Sequence, residues 1–227
     1  SGYFRYCEPT VWLERPTPLS CDEMIAAIDA PPPAAVKYRE YAFEMLARMA
    51  ERFAGKYIIS MPDFGDGLDT LSPLRHNIDL LTDLIDCPQE VRRALAAVGR
   101  LAEAIFDRAA GIIGPANGGL SACVMRYLSE GPSYLTYCDF SAMIGPAHFG
   151  EFVLPMVRRH AGRFPGRTVF HLDGPGELPH VDMICSVPEL FAIQWVQGAG
   201  KPGHYDDAWH GLYRQILDRG KRICIGA

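Results

Sequence analysis

His171 and Asp173 are the residues of this chain best placed to do chemistry. They stand two apart in Thr168-Val169-Phe170-His171-Leu172-Asp173-Gly174-Pro175-Gly176, a β-rich run that ends in glycines and a proline and so reads as a strand entering a loop. Alternation along a strand points the imidazole and the carboxylate to one side and Leu172 to the other. Such a pair can offer zinc a nitrogen and an oxygen, or move a proton with the carboxylate orienting the ring. It can equally form a hydrogen bond that only fixes the loop. A metal would need a third ligand from another strand, for which Asp139 and Glu177 are the nearest candidates, with Cys224 behind them.

Further residues fit a substrate site around that pair. Asp63 and Asp139 each follow a β-like segment, where a carboxylate can face a cavity or merely cap a turn. Arg75 and Arg126 can hold an anionic substrate or pair with a neighbouring carboxylate. Trp195, in an apolar run, can stack on a flat ligand or fill the core. The loops Gly174-Pro175-Gly176 and Gly198-Ala199-Gly200 can turn backbone amides toward an anion, though simple turn chemistry explains them too. His148, His160, His180, His204 and His210 show no paired ligand spacing and read as surface residues.

The elements that must carry these groups alternate. The first 33 residues are rich in proline and aromatics and read as irregular. A helix is expected over 35–53, a short β run at Lys56–Met61, a helix over 69–84, and a longer one opening at Asp86-Cys87-Pro88. In that longer helix Val91, Leu95, Val98, Leu101 and Ile105 recur at helical spacing. β-like segments at 120–127 and 134–139 precede a helix from Pro146. From residue 166 the order is strand, helix, strand, helix, strand, which implies a parallel sheet with right-handed crossovers. This is an α/β pattern, and helices of this length between short strands favour a (β/α)8 TIM barrel over a doubly wound sheet, for which no G-x-G-x-x-G turn is present. Only about six strands can be counted, so the barrel is expected to be incomplete or degenerate, one domain over 1–227.

Composition narrows the partners. A net charge of -5 without a Lys/Arg run speaks against nucleic acid. No run of about 18 apolar residues and no leader-like N-terminus is seen, so a cytoplasmic chain with no membrane partner is expected. Seven scattered cysteines, with no C-x-x-C pair, suit free thiols in a reducing compartment.

Three stretches, taken in order, resemble the uroporphyrinogen decarboxylase superfamily, which includes corrinoid-dependent methyltransferases. The first runs from Pro62-Asp63-Phe64 through Gly67-Leu68-Asp69-Thr70-Leu71, Leu74-Arg75 and Leu80-Leu81 to Asp86-Cys87-Pro88-Gln89-Glu90-Val91. The second is Cys138-Asp139-Phe140-Ser141 to Pro146, then Phe149-Gly150-Glu151-Phe152-Val153-Leu154-Pro155. The third is His171-x-Asp173-Gly174 followed by Ile193-Gln194-Trp195. The resemblance covers residues 57–200 and implies a TIM barrel with its site at the C-terminal strand ends. It makes Ser141 a candidate substrate contact. It also offers Asp63 or Asp139 the part of the loop aspartate that positions pyrrole nitrogens in the decarboxylases.

Two departures bear on activity. The methyltransferase branch has His-x-Cys-Gly at the third stretch and a later zinc-binding cysteine; here Asp173 replaces the first thiol, and only Cys224 can stand in for the second. The decarboxylases' Arg-Gln-Ala-Gly-Arg motif has no counterpart in residues 1–33, where Arg5 and Arg15 are isolated. The leading expectation is methyl transfer between a small methylated substrate or thiol and a corrinoid carried by a partner protein, with His171 and Asp173 at a zinc or acid–base centre. Porphyrinogen decarboxylation and a non-catalytic ligand-binding barrel are the alternatives. A homodimer is compatible with all three.

Overall fold

The computed structural model describes residues 4–7, 10–13, 15–123 and 127–225, so the candidate Arg126 lies outside the described residues. The chain forms two compact units, 1–43 with 64–106, and 44–63 with 107–227.

In the first unit β1 (Phe4–Cys7) pairs antiparallel with β2 (Thr10–Leu13). α1 (Cys21–Asp29) opens on a capping box: the Ser20 hydroxyl accepts from the Glu23 N–H, and the Glu23 carboxylate accepts from the Ser20 N–H at 2.8 Å. The segment expected to be irregular thus holds a hairpin and a helix. α2 (Pro33–Phe53) follows as the apolar spacing predicts and contributes residues to both units. The single helix expected over 69–84 is two, α3 (Gly67–Arg75) and α4 (Asn77–Asp86). His76 separates them at φ 72°, its Nε2 bonded to the Arg15 carbonyl oxygen at 2.7 Å. α5 (Pro88–Ala116) buries Val91, Ala94, Val98 and Ala102 at helical spacing; Leu68, Leu71, Leu80 and Leu84 are the buried leucines of α3 and α4.

In the second unit the stretch 56–61, expected as a strand, belongs to no sheet: Lys56 lies in the turn after α2, and at the other end the Met61 N–H donates to the Ala122 carbonyl at 2.8 Å. The Asn117 side chain takes the place of a neighbouring strand: its Oδ1 accepts from the Ile59 N–H and its Nδ2 donates to the Ile59 carbonyl, both at 2.9 Å. β3 (Leu120–Ala122) and β4 (Leu128–Glu130) fold on each other as an antiparallel hairpin. The main sheet follows. β5 (Tyr134–Thr136) leads through α6 (Pro146–His148), a wide turn at Phe149–Val153 and α7 (Leu154–Arg163) to β6 (Thr168–Asp173). α8 (Val181–Cys185), β7 (Leu190–Val196), α9 (His210–Asp218) and β8 (Arg222–Cys224) complete it.

All four strands are parallel, in the order β5-β6-β7-β8. Consecutive parallel neighbours are what repeated βα units of one hand produce. The α/β class therefore stands. The complete eight-stranded barrel does not appear among the described residues, because 56–61 stays out of the sheet and β3 and β4 pair only with each other. Phe170 and Leu172 of β6, with Ile193 and Trp195 of β7, are fully buried on one face. The even spacing that buries them sends His171 and Gln194 to the other face.

Two histidines read as surface residues are core residues instead. His160 is buried, with Nδ1 3.0 Å from the Thr136 hydroxyl, and His180 is buried against the Phe149 ring at 4.3 Å between centroids. The cysteines described with side chains are all free thiols. No described helix is long and apolar enough to cross a membrane.

Candidate metal centre

The site grows from the C-terminal edge of the parallel sheet, where strand ends deliver side chains to the loops. β6 is built of β-branched and aromatic residues up to His171, and Gly174 at φ 80° then turns the chain into a 3-10 turn, Pro175–His180. The Gly174 N–H donates to the Val196 carbonyl at 2.8 Å, so the glycine closes the strand pair. Asp139 follows β5 and starts a second 3-10 turn, Asp139–Met143.

Asp139, His171 and Asp173 converge: one ligand atom from each lies within 4.8 Å of the other two. Asp139 is exposed and the other two are half-buried, so the cluster is reachable from solvent. His171 Nδ1 is bonded to Gln194 Oε1, which leaves Nε2 for a ligand. Desolvation by surrounding protein pushes the Asp139 carboxyl above the usual range even though its edge meets solvent; the His171 ring pulls it down, and Asp173 and Asp63 push it up again. Asp63 is exposed and acts on the cluster through this repulsion.

Glu177, weighed as a third ligand, points elsewhere. It is fully buried, its Oε2 accepts from the Asp173 N–H at 2.9 Å, and its Oε1 accepts from the Ser141 hydroxyl at 3.2 Å. Burial pushes its carboxyl up to about 8, helped by Asp139 and Asp173 and opposed by its two hydrogen bonds. Ser141 is itself fully buried and so is no surface contact for a substrate. Cys224 lies opposite Gln194 on β8, half-buried, outside the three converging groups.

Two proposed contacts fall away. Arg75 belongs to the first unit, where its Nε and Nη2 reach the two oxygens of Asp83 at 2.7 and 3.1 Å; the guanidinium is neutralised locally. Trp195 faces away from His171 and meets Trp209 edge-on at 5.0 Å, so it is core.

Two residues of the site carried no role in the sequence reading. Gln194 is a fully buried amide in an apolar strand, and a polar residue inside such a run is itself a signal that something must bond it. Tyr137, two residues before Asp139, presents its ring edge-on to His171 at 6.4 Å.

One imidazole nitrogen and two carboxylate oxygens suit zinc or a harder divalent cation, with a position left open for substrate. Ligand atoms about 2.1 Å from such an ion stand about 3.4 Å apart, and the three groups here lie within 4.8 Å of one another. No protein-family model, curated protein or solved structure matches the chain.

Proposed function

We propose that this chain is an enzyme of the uroporphyrinogen decarboxylase-like superfamily, its parallel sheet an arc of a (β/α)8 barrel. In this reading it transfers a methyl group between a small methylated substrate or thiol and a corrinoid held by a partner protein. The observation that carries the reading is the convergence of Asp139, His171 and Asp173 at the C-terminal strand ends.

Asp139, His171 and Asp173 would hold the ion. A divalent cation there supplies Lewis acidity that lowers a bound thiol's pKa or polarises a substrate atom. Gln194 bonds the His171 Nδ1 and so leaves Nε2 as the nitrogen for the ion. Asp63, Asp139 and Asp173 crowd negative charge that a cation offsets, and Tyr137 limits the space beside the imidazole.

The test has two arms. Zinc titration of the protein against a competing chelator should give one site per chain, lost in His171→Ala. Methylcobalamin should then transfer its methyl group to an added thiol faster with the wild type than with His171→Ala. Absence of a zinc site sinks the metal centre; a zinc site with no methyl transfer sinks the reaction.

One observation favours the second reading, decarboxylation of a porphyrinogen-type substrate. Burial pushes the Glu177 carboxyl up to about 8, and its Oε2 accepts from the Asp173 N–H, so a protonated carboxyl stands one peptide away from the cluster and would reach substrate only through Asp173. Tight porphyrin binding unaffected by chelator would select it.

A further inference from the structure

We propose that Glu177 is a positioning residue: one buried side chain ties the turn that carries Asp139 to the strand end that carries Asp173, and so sets the spacing of the two carboxylates. The inference rests on the metal-centre reading for its consequence and on hydrogen bonds for its substance.

The tie is direct on one side and one residue removed on the other. Glu177 Oε2 accepts from the backbone N–H of Asp173 at 2.9 Å, which fixes the peptide from which that carboxylate projects. Oε1 accepts from the Ser141 hydroxyl at 3.2 Å, and Ser141 lies two residues beyond Asp139 in the same 3-10 turn. The same segment holds Ser141 a second time, because His180 Nε2 donates to its carbonyl at 3.0 Å. The two turns approach so closely that a Cβ on Gly176 would stand 2.8 Å from that of Ala142. Glu177 is fully buried between them, so its oxygens face protein.

The side chain's chemistry suits the part. An aspartate, one methylene shorter, cannot span both partners from the same backbone. A leucine would fill the volume but leave a buried N–H and a buried hydroxyl without partners. A glutamine keeps the reach: its carbonyl accepts from Asp173, and its amide donates to the Ser141 oxygen. Groups that orient metal ligands are worth about 10- to 100-fold in affinity, and that range sets the expected effect.

The experiment compares wild type, Glu177→Gln, Glu177→Asp and Glu177→Leu by zinc titration and by the amide resonance and hydrogen exchange of Asp173. Glu177→Gln should bind zinc within about 3-fold of wild type, while Glu177→Leu and Glu177→Asp weaken it about 10- to 100-fold. The Asp173 amide should lose its low-field shift and its protection in the leucine variant and keep both in the glutamine variant. A folded leucine variant that binds zinc like wild type overturns the proposal. Should the leucine variant not fold, the aspartate variant decides in the same way. If wild type takes up no divalent cation, the metal-centre reading fails separately. The Asp173 amide and the Asp139 carboxyl resonance then carry the test: movement of both in Glu177→Asp sustains the tie, and stillness overturns it.

Discussion

Gln194 stands opposite His171 in the register of β7 against β6, and its Oε1 accepts from the imidazole Nδ1–H. The amide is fully buried, and its Nε2 has no partner among the described residues. Of the two ends of this buried amide only Oε1 makes a bond, and that bond goes to the His171 ring. Gln194→Leu should therefore weaken zinc binding about 10- to 100-fold, because the ring loses the group that fixes its tautomer and rotation. Gln194→Glu keeps an acceptor at the same reach and should retain most of the affinity. Equal zinc affinity in Gln194→Leu and wild type, by chelator competition, would remove Gln194 from the site.

Glu177 makes stability depend on pH. An unfolded glutamate titrates near 4.5, whereas the folded one is pushed up to about 8, so between those values the native state holds a proton the unfolded chain has lost. That contribution is complete below the unfolded value and declines as pH rises through the folded one, by at most about 1.4 kcal/mol per pH unit. Glu177→Gln does not titrate. Urea midpoints at pH 6 and pH 9 should show wild type losing ground to Glu177→Gln on going to pH 9. A difference between the two proteins that stays the same at both pH values would show that the carboxyl is not held up.

The sequence made the α/β class and the strand-end position of His171 and Asp173 legible, and little of what joins them to the rest. Strand periodicity placed His171 and Asp173 on one face, and the turn residues after β6 put them at a strand end, both local consequences of pattern. That Asp139 reaches the same point depends on β5 lying next to β6, a long-range pairing that order alone suggests. The orientation of Glu177 could not be read, since Gly-Glu-Leu fits an inward or an outward glutamate equally well. The lost strand at 56–61 shows the same limit. Its residues suit a strand, but Asn117, 58 positions from Ile59, gives Ile59 the two hydrogen bonds a sheet would have given it. The helix at Cys21–Asp29 was missed, since residues 1–33 were expected to be irregular, although Ser20-x-x-Glu23 is a capping box in sequence.

Arg75 and Asp83 form a two-bond ion pair, with Arg75 side-chain exposure at 25% and Asp83 at 11%. The proximity of Asp83 raises the guanidinium pKa further, so the charge is permanent. Arg75 Nη1 also donates to the Leu19 carbonyl at 3.4 Å, tying α3 to the chain before α1. Arg75→Leu should strand a buried carboxylate and destabilise the protein by about 1–3 kcal/mol in urea unfolding. Zinc affinity should not change. A substituted protein of normal stability that has lost substrate or zinc binding would restore Arg75 to the functional residues.

Trp195 and Trp209 meet edge to face, 5.0 Å between ring centroids at 64°. Trp195 is fully buried and its Nε1 has no partner among the described residues, so its contribution is apolar area and ring geometry rather than a hydrogen bond. Trp195→Ala should cost about 3–5 kcal/mol, since a void of that size in a parallel-sheet core does not collapse. Trp195→Phe deletes the orphan N–H along with one ring and should cost less than the lost volume alone implies. Thermal melts with near-ultraviolet circular dichroism separate the two, because the Trp pair contributes to that signal. A Trp195→Ala protein with an unchanged melt and weakened ligand binding would reverse the assignment, for it would mean that the indole lies against substrate. The strand register argues otherwise: Trp195 is opposite Leu172, and both are fully buried on the face away from His171.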